Sequence, residues 1–322
     1  MPVLTKAIAV YHEHPDWFRP LFAELERRDI PTVRLDARQH AFDPASRRAD
    51  HDYALVFNRM SPSAYLRGGG NATFFTRDLL AHWERLGLRV INGSDAYAVE
   101  ISKASQLGLL ERLGLGSPRA RVINHPALAP IAAQGLRFPV VVKANIGGSG
   151  AGIVRFDDPQ ALARAAEAGT LDLGVDGTAL VQEYIPARDG RITRVETLGG
   201  KYLYAIHVYT TGESFNLCPA DICQTADGQT LTRSACPVDA PKSGLSVEAT
   251  TPPPAVIDAV ERIVQAAGID VGGIELMTDD RDGSLLYYDI NALSNFVADA
   301  RRVIGFDPHE RLVDYLLAQA RS

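Results

Sequence analysis

The sequence predicts an α/β protein, α+β taken as a whole, built from several lobes around a cleft. Three observations carry this expectation. Strand and helix patterns alternate over the first 95 or so residues. A glycine-rich turn joins two strand patterns between Phe138 and Phe156. Two further strand pairs, within 191–209 and 272–291, are each closed by a turn. Alternating β and α segments with short connections make a parallel sheet flanked by helices, and 322 residues are more than one ordinary core holds.

The elements follow in order. Ala7–Tyr11 is a short apolar run, and Trp17–Arg28 has helical spacing with Phe18, Leu21, Phe22 and Leu25 on one face. Thr32–Leu35 and Tyr53–Phe57 read as strands, Phe74–Leu86 as an amphipathic helix, and Arg89–Asn92 as a strand. A single helix is expected from about Asp95 to Leu113, with Ser94 as its N-cap and Lys103 in its interior. Then come strands at Arg119–Ile123 and Phe138–Lys143, the glycine turn, strand Gly152–Phe156, a helix opened by Asp158-Pro159, and strand Leu180–Ile185. Arg191–Leu198 and Tyr202–Tyr209 flank Gly199-Gly200, a hairpin signal. Residues 210–250 lack a period and are expected to form a functional loop. Pro253–Ala267 is a helix, Gly272–Met277 and Leu285–Asn291 are paired strands, and Pro308–Gln319 is a closing helix.

Composition excludes some classes. A formal net charge of -6 gives no general attraction to nucleic acid or anionic membrane. No apolar run approaches the roughly 20 residues that span a bilayer, and the N-terminus reads as a strand and not a signal peptide. Three cysteines (Cys218, Cys223, Cys236) cannot all pair and fit no common zinc spacing, so reduced thiols and a cytoplasmic setting are expected.

The chemistry starts with the acids. Glu275 sits in GGIELM, and Asp289 and Asn291 sit in LLYYDIN. Side chains alternate along a strand, so Asp289 and Asn291 share a face, and antiparallel pairing brings Glu275 to them. Three oxygen-bearing groups at one point suit magnesium; a hydrogen-bonded structural cluster is the alternative. Upstream, Lys143 ends a strand and precedes Gly147, Gly148, Ser149, Gly150 and Gly152. Glycines let backbone N–H groups wrap phosphate oxygens, with the lysine as a point charge beside them. The loop is neither a Walker A motif, since no GK[ST] follows, nor a dinucleotide fingerprint, since the glycines lie between two strands. In ALVQEYIPARDG, the segment Gln182, Glu183, Tyr184 and Ile185 ends a strand and can offer backbone groups to an adenine edge; taken alone, a plain buried strand is the simpler alternative.

In this order, Lys103, Lys143 with its glycines, QEYI, Glu275 and the DxN of Asp289 and Asn291 resemble the ATP-grasp superfamily, in particular its alpha-L-glutamate ligase and glutathione synthetase branch. The resemblance covers roughly 95–300. It implies a pre-ATP-grasp lobe at 1–95 and two lobes clasping ATP at 96–184 and 185–322. It further implies that Lys103 and Lys143 bind phosphates, that Glu183 and Tyr184 hold adenine, and that Glu275, Asp289 and Asn291 bind magnesium, as two ions, manganese being able to substitute. Arg194 matches a cleft arginine facing the phosphates or an acyl phosphate. A homodimer is expected from the family alone.

Two positions depart from the pattern. Ile192 stands where relatives carry an acid two residues before the arginine. Ser214-Phe215-Asn216 stands where they carry Arg-Ser-Asn, so only Asn216 matches and the arginine that steadies the acyl phosphate is missing. Arg301, Arg302 or Arg233 is expected to replace it. Arg59, Ser61 and Ser63 (with Asn58, after a strand), and Ser294 and Asn295 (just past Asn291), are expected to touch substrate. His207 reads as a core or hydrogen-bonded histidine. The implied activity is an ATP- and magnesium-dependent, ADP-forming ligase joining a small, amino-acid-like carboxylate to an amine through an acyl phosphate. A regulatory ATP-binding protein without ligation, or a kinase, would use the same nucleotide residues.

Overall fold

The computed structural model describes residues 4–48, 52–148, 152–209 and 246–321. Three sheets organise it. The first contains β1 (Ala7–His12), β2 (Thr32–Asp36), β3 (Tyr53–Arg59) and β4 (Val90–Ile91), ordered β2-β1-β3-β4 and all parallel, with α1 (Arg19–Arg27) and α2 (Gly70–Arg85) as crossovers. This is the arrangement that the alternating pattern predicts. The buried runs Ile8–Tyr11 and Leu55–Phe57 lie between two apolar clusters, one on each face.

The expected helix 95–113 is two helices, α3 (Ser94–Glu100) and α4 (Lys103–Arg112). Ser102 breaks it: its backbone is extended, and its side chain accepts the N–H of Ser105 as an N-cap. Gly93, not Ser94, is the cap residue of α3, and the Ser94 hydroxyl is hydrogen-bonded to Glu84. Lys103 therefore stands at a helix start and not in a helix interior.

The second sheet is antiparallel, ordered β5-β8-β6-β7, from β5 (Ala120–Ile123), β6 (Val140–Ala144), β7 (Val154–Phe156) and β8 (Ala179–Glu183). Short α5 (Ala129–Ala132) and α6 (Pro159–Glu167) cover one face, where Val140, Val142, Ala179 and Val181 pack with Leu162. By alternation Val141, Lys143, Leu180 and Gln182 look out from the other face.

The third sheet contains β9 (Arg191–Leu198), β10 (Lys201–Tyr209), β11 (Val247–Thr250), β12 (Val271–Thr278) and β13 (Leu285–Asn291), ordered β11-β10-β9-β12-β13. Helix α7 (Pro254–Ala266) packs on the face carrying Val195, Ala205, Ile274 and Ile290. The opposite face meets the first sheet through Ile192, Ile206, Phe57 and Phe296. After α8 (Ala300–Val303), α9 (Pro308–Gln319) returns to α1, where Arg28 pairs with Asp314 at 2.6 Å. Among the described residues, no helix is long and apolar enough to cross a membrane.

Candidate nucleotide and metal site

The acids meet as strand geometry requires. β12 and β13 are antiparallel with Glu275 directly opposite Asp289 and Gly273 opposite Asn291. A bulge between Glu275 and Leu276 gives β13 one extra residue, which brings Tyr288 to the same face. The Tyr288 hydroxyl donates to Glu275 Oε2 at 2.7 Å, and Arg194 Nη1 on neighbouring β9 donates to Glu275 Oε1 at 2.6 Å. Arg194 Nε donates to Glu196 Oε1 at 2.6 Å, and Nη2 donates to Ser294 Oγ at 3.1 Å. Gly273 makes room for this buried pair: a Cβ there would lie 2.8 Å from Arg194 Nη2 and 3.0 Å from both Glu196 carboxylate oxygens. Burial pushes the Glu275 carboxyl up despite Arg194. Asp289, also opposed by burial, is held below the usual range by the Lys103 ammonium.

Two lysines face these acids. Lys103 Nζ donates to Asp289 Oδ1 at 2.5 Å. Its helix is braced from β6 by Asn145, whose side-chain oxygen accepts the Ala104 N–H at 3.0 Å and whose backbone oxygen accepts the Lys103 N–H at 3.2 Å. One turn along, Gln106 pairs with the edge of β13 as a strand would: it donates to Ile290 O at 2.9 Å and accepts Ile290 N–H at 3.2 Å. Lys143, buried on β6, has its pKa lowered to about 7, first by burial and then by the charge of Lys103. A buried lysine repelled by a second lysine is a seat for an anion.

At the other end of the second sheet, register sets Arg155, Val141 and Gln182 abreast on β7, β6 and β8. Gln182 Oε1 is buried without a hydrogen-bond partner among the described residues. The N–H groups of Glu183 and Tyr184 donate to the carbonyls of Arg119 and Pro139, each at 2.9 Å. The Glu183 carboxylate accepts the Arg137 N–H at 2.9 Å. Ile185 is buried, and the Arg155 guanidinium lies 4.6 Å from the Tyr184 ring centre.

The first sheet reaches this site through the loop after Asn291. Buried Arg59 donates through Nη2 to Ser294 O at 2.6 Å and to Asn295 Oδ1 at 2.8 Å. Ser294 Oγ is hydrogen-bonded to Glu196. Ala292 N–H donates to Glu100, a buried acid raised to about 7 by burial. Asn92 donates to Ala292 O at 2.6 Å and to Val271 O at 2.7 Å.

Comparison with known proteins agrees with this geometry. Residues 101–217 match the RimK-like ATP-grasp domain. The matched segment is similar to an ATP-grasp domain. Over 160 residues it is 29% identical to a probable alpha-L-glutamate ligase of Teredinibacter turnerae, covering 49% of this chain and 51% of that one. Over 141 residues it is 31% identical to probable alpha-L-glutamate ligase 2 of Shewanella frigidimarina, covering 44% and 46%. The chain thus spans about half the length of the curated relatives it matches. Solved structures extend the fold over nearly the whole chain. The ATP-grasp ligase PsnB, complexed with a phosphomimetic variant of its minimal precursor, Mg and ADP, superposes with a TM-score of 0.68 at 20% identity, covering 98% of this chain and 99% of that one. D-alanyl-alanine synthetase A of Vibrio cholerae gives 0.67 at 14% identity, covering 99% and 100%.

The fold therefore brings together Lys103, Lys143, Arg194, Glu275, Asp289 and Asn291, and ties Arg59, Ser294 and Asn295 to them. It places Arg301 elsewhere: that side chain is 68% exposed and pairs with Glu310 at 2.7 Å, and Arg302 is 70% exposed. Ile192 is core, and the acid beside Arg194 is Glu196, two residues after it and not two before. Thr193 Oγ1 and His207 Nδ1 are hydrogen-bonded at 3.0 Å. Ser149, Gly150, Asn216, Arg233 and the three cysteines lie outside the described residues. Among the described residues, no group of three or more His, Cys, Asp or Glu is disposed to hold a metal by itself. The donor set, two carboxylates and an Asn amide on one sheet face, fits a hard cation that completes its shell with phosphate and water oxygens. Glu100, Gln106, Asn145 and Tyr288 were not expected from the sequence. A buried polar residue beside each motif was the only available signal.

Proposed function

We propose that this chain is an ADP-forming ligase that binds magnesium–ATP between the second and third sheets, phosphorylates a carboxylate and passes the acyl group to an amine. The observation that carries the reading is the opposition of half-buried Lys103 and buried Lys143 to the Glu275–Asp289 pair. It supplies cations for phosphate oxygens and carboxylates for a metal in one cleft. The relatives' names support the same reaction class, and a small amino-acid-like acid is the substrate inferred from them.

Each residue then has a task. Gln182 Oε1 accepts from the amino group of adenine, while Ile185 and Tyr184 cover the ring; the N–H groups of Glu183 and Tyr184 are already engaged. Lys143 and the N–H groups around Gly148 hold phosphate oxygens, joined by Ser149 and Gly150. Lys103, paired with Asp289, is placed to turn to a phosphate oxygen. Glu275, Asp289 and Asn291 would hold magnesium, which would neutralise the phosphates. Arg194, fixed by Glu196, stabilises charge at the transferred phosphoryl group, a task for which the family resemblance also names Asn216. Arg59, Ser61, Ser294 and Asn295 shape the substrate end of the cleft.

The test is ADP release across a panel of amino acids, with hydroxylamine trapping the activated acyl group as a hydroxamate. Release should require both acid and magnesium, and Asp289→Ala should abolish it. Tight ATP binding with no acid-dependent release would sink the ligase reading. A phosphorylated product stable to hydroxylamine would make the protein a kinase.

A further inference from the structure

Resting on that ligase reading, we propose that Arg67, together with Ser63, binds the carboxylate that is phosphorylated. The sequence lacks the arginine that the family resemblance expects for this task. Of the arginines considered, Arg301 and Arg302 lie at the surface, Arg59 holds the Ser294–Asn295 loop, and Arg233 lies outside the described residues.

Arg67 is in the right place. It ends the short 3-10 helix Pro62–Arg67 that follows β3, at the carboxyl end of the parallel sheet, where ligands gather in such sheets. That turn touches the phosphate loop: a Cβ on Gly148 would lie 3.6 Å from Ser63 Cβ and 3.9 Å from its Oγ. Nη1 and Nη2 of Arg67 both reach Ser63 Oγ at 3.3 Å. Any group seated against Gly148 is thus one contact from Ser63 and two from the guanidinium.

Arg67 is also held for recognition. Its guanidinium lies 4.6 Å from the Trp17 ring centre, and Nε donates to both oxygens of Glu13 at 3.2 and 3.3 Å. The two side chains are 9% and 4% exposed. A buried ion pair adds little net stability, so its effect here is orientation: Glu13 is a positioning residue that fixes the arginine's plane. One N–H on Nη1 is left without a protein partner among the described residues. That one N–H beside the serine hydroxyl can hold one carboxylate oxygen.

In the step this serves, one carboxylate oxygen forms a bond to the γ-phosphorus. The bond from that phosphorus to the bridging oxygen breaks, and its electron pair leaves with ADP. Arg67 and Ser63 hold the other oxygen, and no proton moves. The amine then bonds to the carbonyl carbon, phosphate leaves with the C–O electron pair, and the amine's proton passes to water.

The experiment measures ADP release with hydroxylamine as the amine, using the amino acid that gives the highest wild-type rate, for wild type, Arg67→Met and Ser63→Ala. KM for the acid should rise on the order of a hundredfold in R67M and about tenfold in S63A, while the ATP dissociation constant stays within about threefold. Should R67M fail to fold, S63A leaves the Arg67–Glu13 pair intact and carries the test alone. An unchanged acid KM, or parallel weakening of acid and ATP, overturns the proposal while leaving the ligase reading standing. A wild type that turns over no acid removes both.

Discussion

Lys143 makes nucleotide binding a proton-uptake reaction. In the free protein its pKa is about 7, set by burial and by the Lys103 charge. At pH 8 such a group is about 90% neutral, and at pH 6 about 10%. Phosphate oxygens beside the amine favour its charged form and return its pKa toward the ordinary lysine value. Binding at pH 8 should therefore take up about 0.9 proton, and at pH 6 about 0.1. By the same linkage, affinity should fall up to tenfold per pH unit above about pH 7. Calorimetry in buffers of different ionisation enthalpy, with magnesium fixed, reads the proton count directly. Lys143→Arg keeps a permanent charge and provides the reference, cancelling protons taken up by the nucleotide itself. Uptake by wild type equal to that of the Arg variant at pH 8 would refute the reasoning. In the absence of nucleotide the sign is the opposite of the usual lysine case. The lowered pKa makes the unfolded chain bind more protons above pH 7, so this group's contribution to stability rises with pH between about 7 and 10.5.

Three other outcomes follow from the same geometry. Gly272→Ala sets a Cβ 2.7 Å from the Asn291 carbonyl oxygen, a backbone atom that cannot swing aside. Denaturant unfolding should show a loss of about 1–3 kcal/mol, and the magnesium concentration needed for ATP binding should rise; unchanged stability would mean that β12 and β13 slide freely. Glu100, raised to about 7, is protonated in the folded chain where the unfolded chain has ionised. Its share of stability is full below pH 4.5 and is lost as pH rises through 7. Glu100→Gln should flatten the melting temperature across that window, and an identical slope in both proteins would exclude Glu100 as its source. Gln106→Leu strips the Ile290 N–H and carbonyl of their partner and should cost about 1–3 kcal/mol per orphaned group, read by thermal unfolding. Melting within a degree of wild type would show that water replaces the amide.

What the sequence reveals about this site depends on how far apart in the chain the interacting residues lie. Asp289 and Asn291 share a face because strands alternate, and Glu275 joins them because a short turn forces antiparallel pairing; both follow from local rules. The parallel first sheet is legible for the same reason. The break at Ser102 is not, because Ile101 continues the apolar pattern on either side, and only the cap hydrogen bond to Ser105 and the brace from Asn145 end α3 there. Ser102 and Asn145 are 43 apart, Gln106 and Ile290 are 184 apart, and Glu100 and Ala292 are 192 apart. No period in the sequence encodes such pairings. Yet it is these side chains that aim the legible ones. Asn145 points the start of α4 at the cleft, Gln106 sets α4 against β13, and Lys103 meets Asp289 as the result. The motif residues identify the chemistry, and the unremarked polar residues beside them supply the angstrom-level placement on which phosphoryl transfer depends. Substitutions at Asn145 and Gln106 should therefore lower turnover through misplacement of Lys103, although neither residue touches nucleotide in the reading advanced above.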